Sequence, residues 1–273
     1  MMMTASALPD TQWLRDLELI TTAAMAAGEK ALGFFRKNPD FRYKNEDRSP
    51  VSEADYAAND VLKERLLAAR PNYGWLSEET DDDEARLGCE TVFVVDPIDG
   101  TRAFIAGKDV WCVSVAVVHE GRPVAGVLYA PALIELYQAA QGQGARRNGL
   151  PIRTSQAGDG DKLQIALSEQ RVARLPAAFR AGMTRIAHVP SLAYRLAMIA
   201  DGRIDGTVVE RNSHDWDLAA ADLILDEAGG RLAGLDGQPL AYNGKQVTHD
   251  LLCAARLSVL DPLVAAAGGS GPH

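Results

Sequence analysis

The chain has 273 residues, 47% of them hydrophobic, with a formal charge of −9, enough for a buried core in one large domain or two small ones. The acidic balance disfavours nonspecific binding to nucleic-acid polymers or anionic membranes, and no apolar run is long enough to span a bilayer as a helix. Three scattered cysteines, Cys89, Cys112 and Cys253, do not suggest a disulfide framework and suit small core positions in a reducing cytosol.

In chain order, Met1–Asp10 has no basic start and no long apolar stretch, so it does not read as a signal peptide and a cytoplasmic location is expected. Asp10 or Thr11 can cap a helix running to about Phe35, with Leu14, Leu17 and Ile20 on one face. A second helix is predicted from about Glu53 to Ala69, before Pro71. Thr91-Val92-Phe93-Val94-Val95 reads as a buried strand ending at Asp96, where Pro97 removes an N–H donor and fixes φ. Cys112–Val118 and Val124–Tyr129 form a predicted hairpin around Glu120-Gly121-Arg122-Pro123. Pro190-Ser191-Leu192 starts another helix, and Thr207-Val208-Val209 is a strand. Asp217 heads a helical pattern from Leu218 to Ala228 that Gly229-Gly230 closes, and it is a plausible N-cap there. No linker or repeat divides the chain, so residues 1–273 are read as one unit with two packed lobes, about 10–150 and 151–260.

Carboxylates gather at three places: Ser77-Glu78-Glu79-Thr80, Asp96-Pro97-Ile98-Asp99-Gly100-Thr101 and Asp215-Trp216-Asp217-Leu218-Ala219-Ala220. Magnesium takes oxygen ligands in octahedral geometry and draws a few carboxylates from distant segments. Zinc would call for closely spaced His or Cys ligands, and an EF-hand for alternating acids in one loop; neither occurs. The turn after the strand can bring Asp96 and Asp99 together while Ile98 offers its carbonyl. Gly100 permits close backbone approach, and the segment opening at Thr101 can receive a phosphate. Alone, the hexapeptide could equally be a solvated turn.

Together these motifs resemble the inositol monophosphatase superfamily. Asp96-Pro97-Ile98-Asp99-Gly100-Thr101 matches its first signature and Trp216-Asp217-Leu218-Ala219-Ala220 its second. Ser77-Glu78-Glu79 matches the upstream acidic motif, and Ser49-Pro50-Val51-Ser52-Glu53-Ala54-Asp55 the segment supplying the acid partnered with the motif threonine. The resemblance spans about residues 10 to 260. It implies a five-layer α-β-α-β-α sugar-phosphatase fold, a homodimer, and a phosphatase using two or three magnesium ions to hydrolyse a small phosphorylated metabolite. It further implies that Glu78, Asp96 and the Ile98 carbonyl hold one metal and that Asp96, Asp99 and Asp217 hold a second. Thr101 and Asp55 would orient the attacking water, and the Gly100 and Thr101 amides would hold the phosphate. Glu79 is the weaker ligand candidate.

For the substrate, Asp47–Asp55, Leu76-Ser77-Glu78-Glu79, Gly126–Pro131 and Ser191-Leu192 look most like the bacterial 3'(2'),5'-bisphosphate nucleotidase branch. That branch removes the 3'-phosphate of adenosine 3',5'-bisphosphate, a by-product of sulfate assimilation. Ser191 and Arg211 are then substrate-binding candidates, with Arg211 meeting a second phosphate. Glu210 sits where inositol monophosphatases place an acid that binds sugar hydroxyls, and His214 also matches. Inositol-1-phosphate and histidinol-phosphate phosphatases are the alternatives, and a phosphatase-fold binding protein is the non-enzymatic one. Glu210, Arg211 and His214 can equally be surface groups after a strand. His119, His188 and His249 lack metal-like spacing.

Overall fold

The first helix, Thr11–Leu32, packs by a stripe of small residues, with Ile20, Ala23, Ala24, Ala27 and Ala31 buried. Residues 11–44, 49–156 and 162–269 are described by the computed structural model; the expectations for Met1–Asp10, including an Asp10 cap, and for Asp47 lie outside them. Of the three residues expected on one face, Ile20 is buried and Leu17 packs against the same core, while Leu14 is 43% exposed near the helix start. The second helix, Glu53–Ala69, has a Ser52–Asp55 capping box at its head, and both helices lie against one sheet.

That sheet has seven strands in the order Gly74–Ser77, Thr91–Asp99, Cys112–His119, Arg122–Ala130, Glu135–Ala140, Ala145–Arg147 and Leu150–Pro151. The first pair is parallel and the others antiparallel. Phe93 and Val95 join the core under the first two helices, while Val92 and Val94 join the core on the opposite face. Burial on both faces is why this strand is a continuous apolar run instead of an alternating one. The predicted hairpin turns tightly through Glu120 and Gly121, both at positive φ.

The opposite face is covered by helices Leu192–Ala200 and Asp215–Glu227, which also pack together. A Cβ at Gly126 would stand 2.9 Å from the Ala220 carbonyl oxygen, so glycine lets the second helix lie directly on the sheet. Gly126 through Pro131 thus belongs mainly to a packed strand and its end, and lines neither cavity of the acidic site described below. Beyond these helices stands a five-stranded sheet ordered Met183–Ile186, Leu163–Ala166, Gly206–Val209, Leu252–Arg256, Gly230–Gly234. Its far side is covered by helix Leu257–Gly268. The layers therefore run α-β-α-β-α.

Two local expectations change. The strand does not end at Asp96: its ladder slips between Asp96 and Asp99 and resumes with Asp99 opposite Cys112. Pro97 has no amide to donate, and the resulting irregularity re-aims the two acids without ending the strand. Nor is Asp217 an N-cap. His214 is the cap, and Asp217, three residues on, accepts from the His214 amide at 2.7 Å in a capping-box arrangement.

Candidate active site

The irregular end of Thr91–Asp99 delivers Asp96 and Asp99 to one side, and the first turn of Asp215–Glu227 delivers Asp217. One carboxylate oxygen from each lies within 4.8 Å of the others. Asp96 is 1% exposed and accepts from the Ile98 amide at 2.9 Å. Burial raises its pKa well above the carboxylate range, with Glu78, Asp99 and Asp217 adding to the effect. Burial and then Asp217 push Asp99 up to about 6. Closely packed, water-poor carboxylates that resist ionisation together suit a hard divalent cation, whose charge would relieve each of them.

Asp99 is also held from behind. The Leu192 and Ala193 amides donate to its two oxygens at 3.2 and 2.7 Å, and the Ser191 hydroxyl donates to Oδ2. Ser191, expected to meet substrate, is fully buried and spends its hydroxyl on Asp99. Gly100 has φ +99°, and a Cβ there would come within 3.2 Å of Ser191 Cβ and the Val110 carbonyl. The turn can therefore close against the Ser191 helix only with glycine.

Thr101 Oγ1 lies 3.0 Å from both Asp55 Oδ1 and the Ile98 carbonyl oxygen, so its one proton is directed between two acceptors. The other Asp55 oxygen accepts from the Ser52 amide at 2.9 Å and the Ser52 hydroxyl at 2.6 Å. Burial raises the Asp55 pKa, and these hydrogen bonds oppose it. A threonine oxygen with its proton committed to protein acceptors has its lone pairs left for an outside donor.

Two cavities, about 590 and 1000 Å³, share Glu78 and Asp217. The smaller joins Asp96, Ile98, Asp99, Gly100 and Thr101 to Arg102, Lys108 and His188. Glu78, just past the end of the neighbouring parallel strand, is not among the three acids that converge but lines the same cavity, and burial, partly offset by Lys44, pushes its pKa up to about 8. Lys44, which carries no motif, bridges Glu78 and Glu79 at 2.9 and 2.8 Å. Burial works against its ammonium charge, but the two carboxylates outweigh that and raise its pKa. Both glutamates are thereby paired with Lys44, and Glu78 alone of the two also lines the cavity of the acid cluster.

Glu210 and Arg211 do not meet the cavity with the acids. Arg171 grips both Glu210 oxygens through Nε, at 2.8 Å, and Nη2. Arg211 is 73% exposed in its side chain, stands 4.0 Å from Asp250 and lines a separate cavity with Leu235 and Leu251. Both lie in the loop that follows the strand ending at Val209, and they meet different partners. His214 stacks on Trp216 at 4.4 Å between ring centroids, with Trp216 and Asp217 lining the larger cavity beside it. His119 pairs with Thr91 and His249 with Asp215.

The sequence profile of the inositol monophosphatase family matches residues 14–268. The chain belongs to that family. It is 31% identical to a histidinol-phosphatase of Chlorobaculum parvum, over 88% of this chain and 96% of the relative. It is 32% identical to an inositol-1-monophosphatase of Mesorhizobium japonicum, over 85% and 90% of the two chains, and 30% identical to the 3'(2'),5'-bisphosphate nucleotidase CysQ of Aggregatibacter actinomycetemcomitans, over 84% and 88%. The extragenic suppressor protein SuhB of Bartonella henselae superposes with a TM-score of 0.80 at 28% identity, over 93% of this chain and 98% of that one. The protein is a metal-dependent phosphomonoesterase of this family. Among the described residues no helix is long and apolar enough to cross a membrane.

Proposed function

We propose that the protein hydrolyses a small phosphorylated metabolite with magnesium, and that adenosine 3',5'-bisphosphate, losing its 3'-phosphate, is the preferred substrate. The carrying observation is the smaller cavity, which is lined both by the acids Glu78, Asp96, Asp99 and Asp217 and by the cationic residues Arg102 and Lys108. A carboxylate floor suits the metal and the scissile phosphate, and cations on the rim suit a second anion. The resemblance of Ser49–Asp55 and Ser77–Thr80 to the nucleotidase branch supports the same reading. Arg211 lines a separate cavity and Arg171 pairs with Glu210, so the choice of substrate rests on neither Arg211 nor Glu210.

Glu78, Asp96, Asp99, Asp217 and the Ile98 carbonyl would hold two or three magnesium ions. Bound there, magnesium would neutralise phosphoryl charge and acidify water. Asp55 orients Thr101, and the Thr101 hydroxyl accepts a hydrogen bond from the attacking water and sets its approach. Gly100 and Thr101 present backbone amides to the phosphate, and Asp99 keeps its aim through Ser191 and the amides beside it. A homodimer and a cytoplasmic location belong to the reading by family resemblance; sedimentation velocity tests the dimer.

The deciding experiment compares adenosine 3',5'-bisphosphate, inositol 1-phosphate and histidinol phosphate at equal concentration with magnesium. A higher kcat/KM for either of the other two overturns the preference. Release from none of them returns the protein to a phosphatase-fold binding role, which a convergent acid set has no physical reason to serve.

A further inference from the structure

Arg195, on the helix Leu192–Ala200, is 6% exposed and forms no ion pair among the described residues. Its Nε is buried without a hydrogen-bond partner. Its Nη1 stands 2.8 Å from His188 Nδ1 and 3.4 Å from the Val189 carbonyl oxygen. Burying an unpaired guanidinium is costly, so the contact it does make defines what this corner of the site is built around.

A guanidinium can only donate. His188 Nδ1 must therefore accept, which leaves the ring proton on Nε2 and the imidazole neutral. Burial, and then the Arg195 charge, hold the His188 pKa below its ordinary value, in keeping with that state. The same ring lines the cavity of the acid cluster together with Pro190, Thr101, Arg102 and Lys108. With Nδ1 turned back to Arg195, Nε2–H is the one polar hydrogen the ring can offer the cavity.

We propose that His188 is a specificity-determining donor for the alcohol part of the phosphate ester, and that Arg195 is the positioning residue that locks its tautomer. The ligand class is an ester whose alcohol carries a hydrogen-bond acceptor or a second anion near the scissile oxygen, where His188 Nε2–H meets it and Lys108 and Arg102 supply charge. This rests on the phosphatase reading and adds to it the group that recognises the leaving side. Among the described residues His188 hydrogen-bonds to Arg195 and to none of the metal candidates, so its contribution is separable from theirs.

The test measures kcat/KM for adenosine 3',5'-bisphosphate and inositol 1-phosphate, each relative to phenyl phosphate, whose leaving group has no acceptor apart from the scissile oxygen. His188→Ala should lower the larger of these ratios by about tenfold or more, the worth of one buried hydrogen bond, mainly through KM. His188→Gln, whose amide nitrogen reaches the Nε2 position, should restore much of it. Arg195→Met should lower the same ratio, and Arg195→Lys, which keeps a donor for Nδ1, should retain more of it. Nitrogen-15 NMR of the wild type near neutral pH should show the His188 Nε2–H tautomer, and Arg195→Met should lose that fixed state. An Nδ1–H or doubly protonated ring in the wild type overturns the proposal, as does a ratio unmoved by His188→Ala in an active protein. If the wild type hydrolyses none of the three esters, the phosphatase reading falls and the leaving-group role with it, a result distinct from activity with an unchanged ratio.

Discussion

Replacing Asp96 by asparagine separates the charge of the acid cluster from its shape. Asp96 accepts from the Ile98 amide at 2.9 Å, and an asparagine oxygen keeps that bond. What disappears is one negative charge among oxygens within 4.8 Å of one another. At that separation two full charges repel by about 3.5 kcal/mol for an effective dielectric of ~20. Burial already holds Asp96 toward its protonated form, so the relief on substitution is a fraction of that figure. The metal-free variant should therefore melt at or slightly above the wild-type temperature. Magnesium at a hundred times its Kd stabilises the wild type by about 2.7 kcal/mol, or roughly 5–10 °C at about 2–4 °C per kcal/mol. In Asp96→Asn that rise should fall below about 2 °C by the same conversion, and phosphate release should vanish. Scanning calorimetry with and without magnesium, paired with a phosphate assay, checks both. A variant that unfolds without metal, or one that keeps the magnesium shift and turnover, refutes the bridging assignment.

Thr101→Ala should lower kcat by on the order of a hundredfold to ten-thousandfold with KM nearly intact, and Thr101→Ser should recover most of the loss; a change confined to KM makes Thr101 a phosphate binder only. Gly126→Ala drives a methyl to within 2.9 Å of the Ala220 carbonyl oxygen and should cost about 1–3 kcal/mol, read as a lower denaturation midpoint; an unchanged midpoint means that the helix can shift freely on its sheet. Glu78 at about 8 and Asp99 at about 6 are raised above their ordinary values, so the folded protein binds more protons than the unfolded chain between about pH 4 and 8. Metal-free stability should consequently fall as pH rises through that window, and magnesium should stabilise the protein more at its upper end; a metal-free melting temperature that climbs from pH 5 to 8 contradicts this. Arg211→Ala should leave the ranking of the three candidate phosphate esters unaltered, because Arg211 lines another cavity; a selective loss of the bisphosphate would return it to the site.

The metal chemistry was legible in the sequence because a hard cation needs carboxylates, and local backbone rules deliver them. Strand, proline, acid and glycine succeed one another from Val95 to Gly100, and Asp217 follows a tryptophan at a helix start. The pairing of Asp55 with Thr101 came from family resemblance, and the two meet although 46 positions separate them. Only the tertiary structure decided what surrounds the cluster. Ser191 turned from substrate toward Asp99 because its helix abuts the Gly100 turn, and Glu210 and Arg211, in the loop after Val209, are drawn apart by Arg171 and Asp250. Lys44, Arg195 and His188 carry no local signature at all. A lysine between two glutamates, or a buried guanidinium behind a histidine, is defined by chain segments far apart in sequence. Such contacts arise from how the layers pack, and side-chain type at one position does not encode which distant group it will meet.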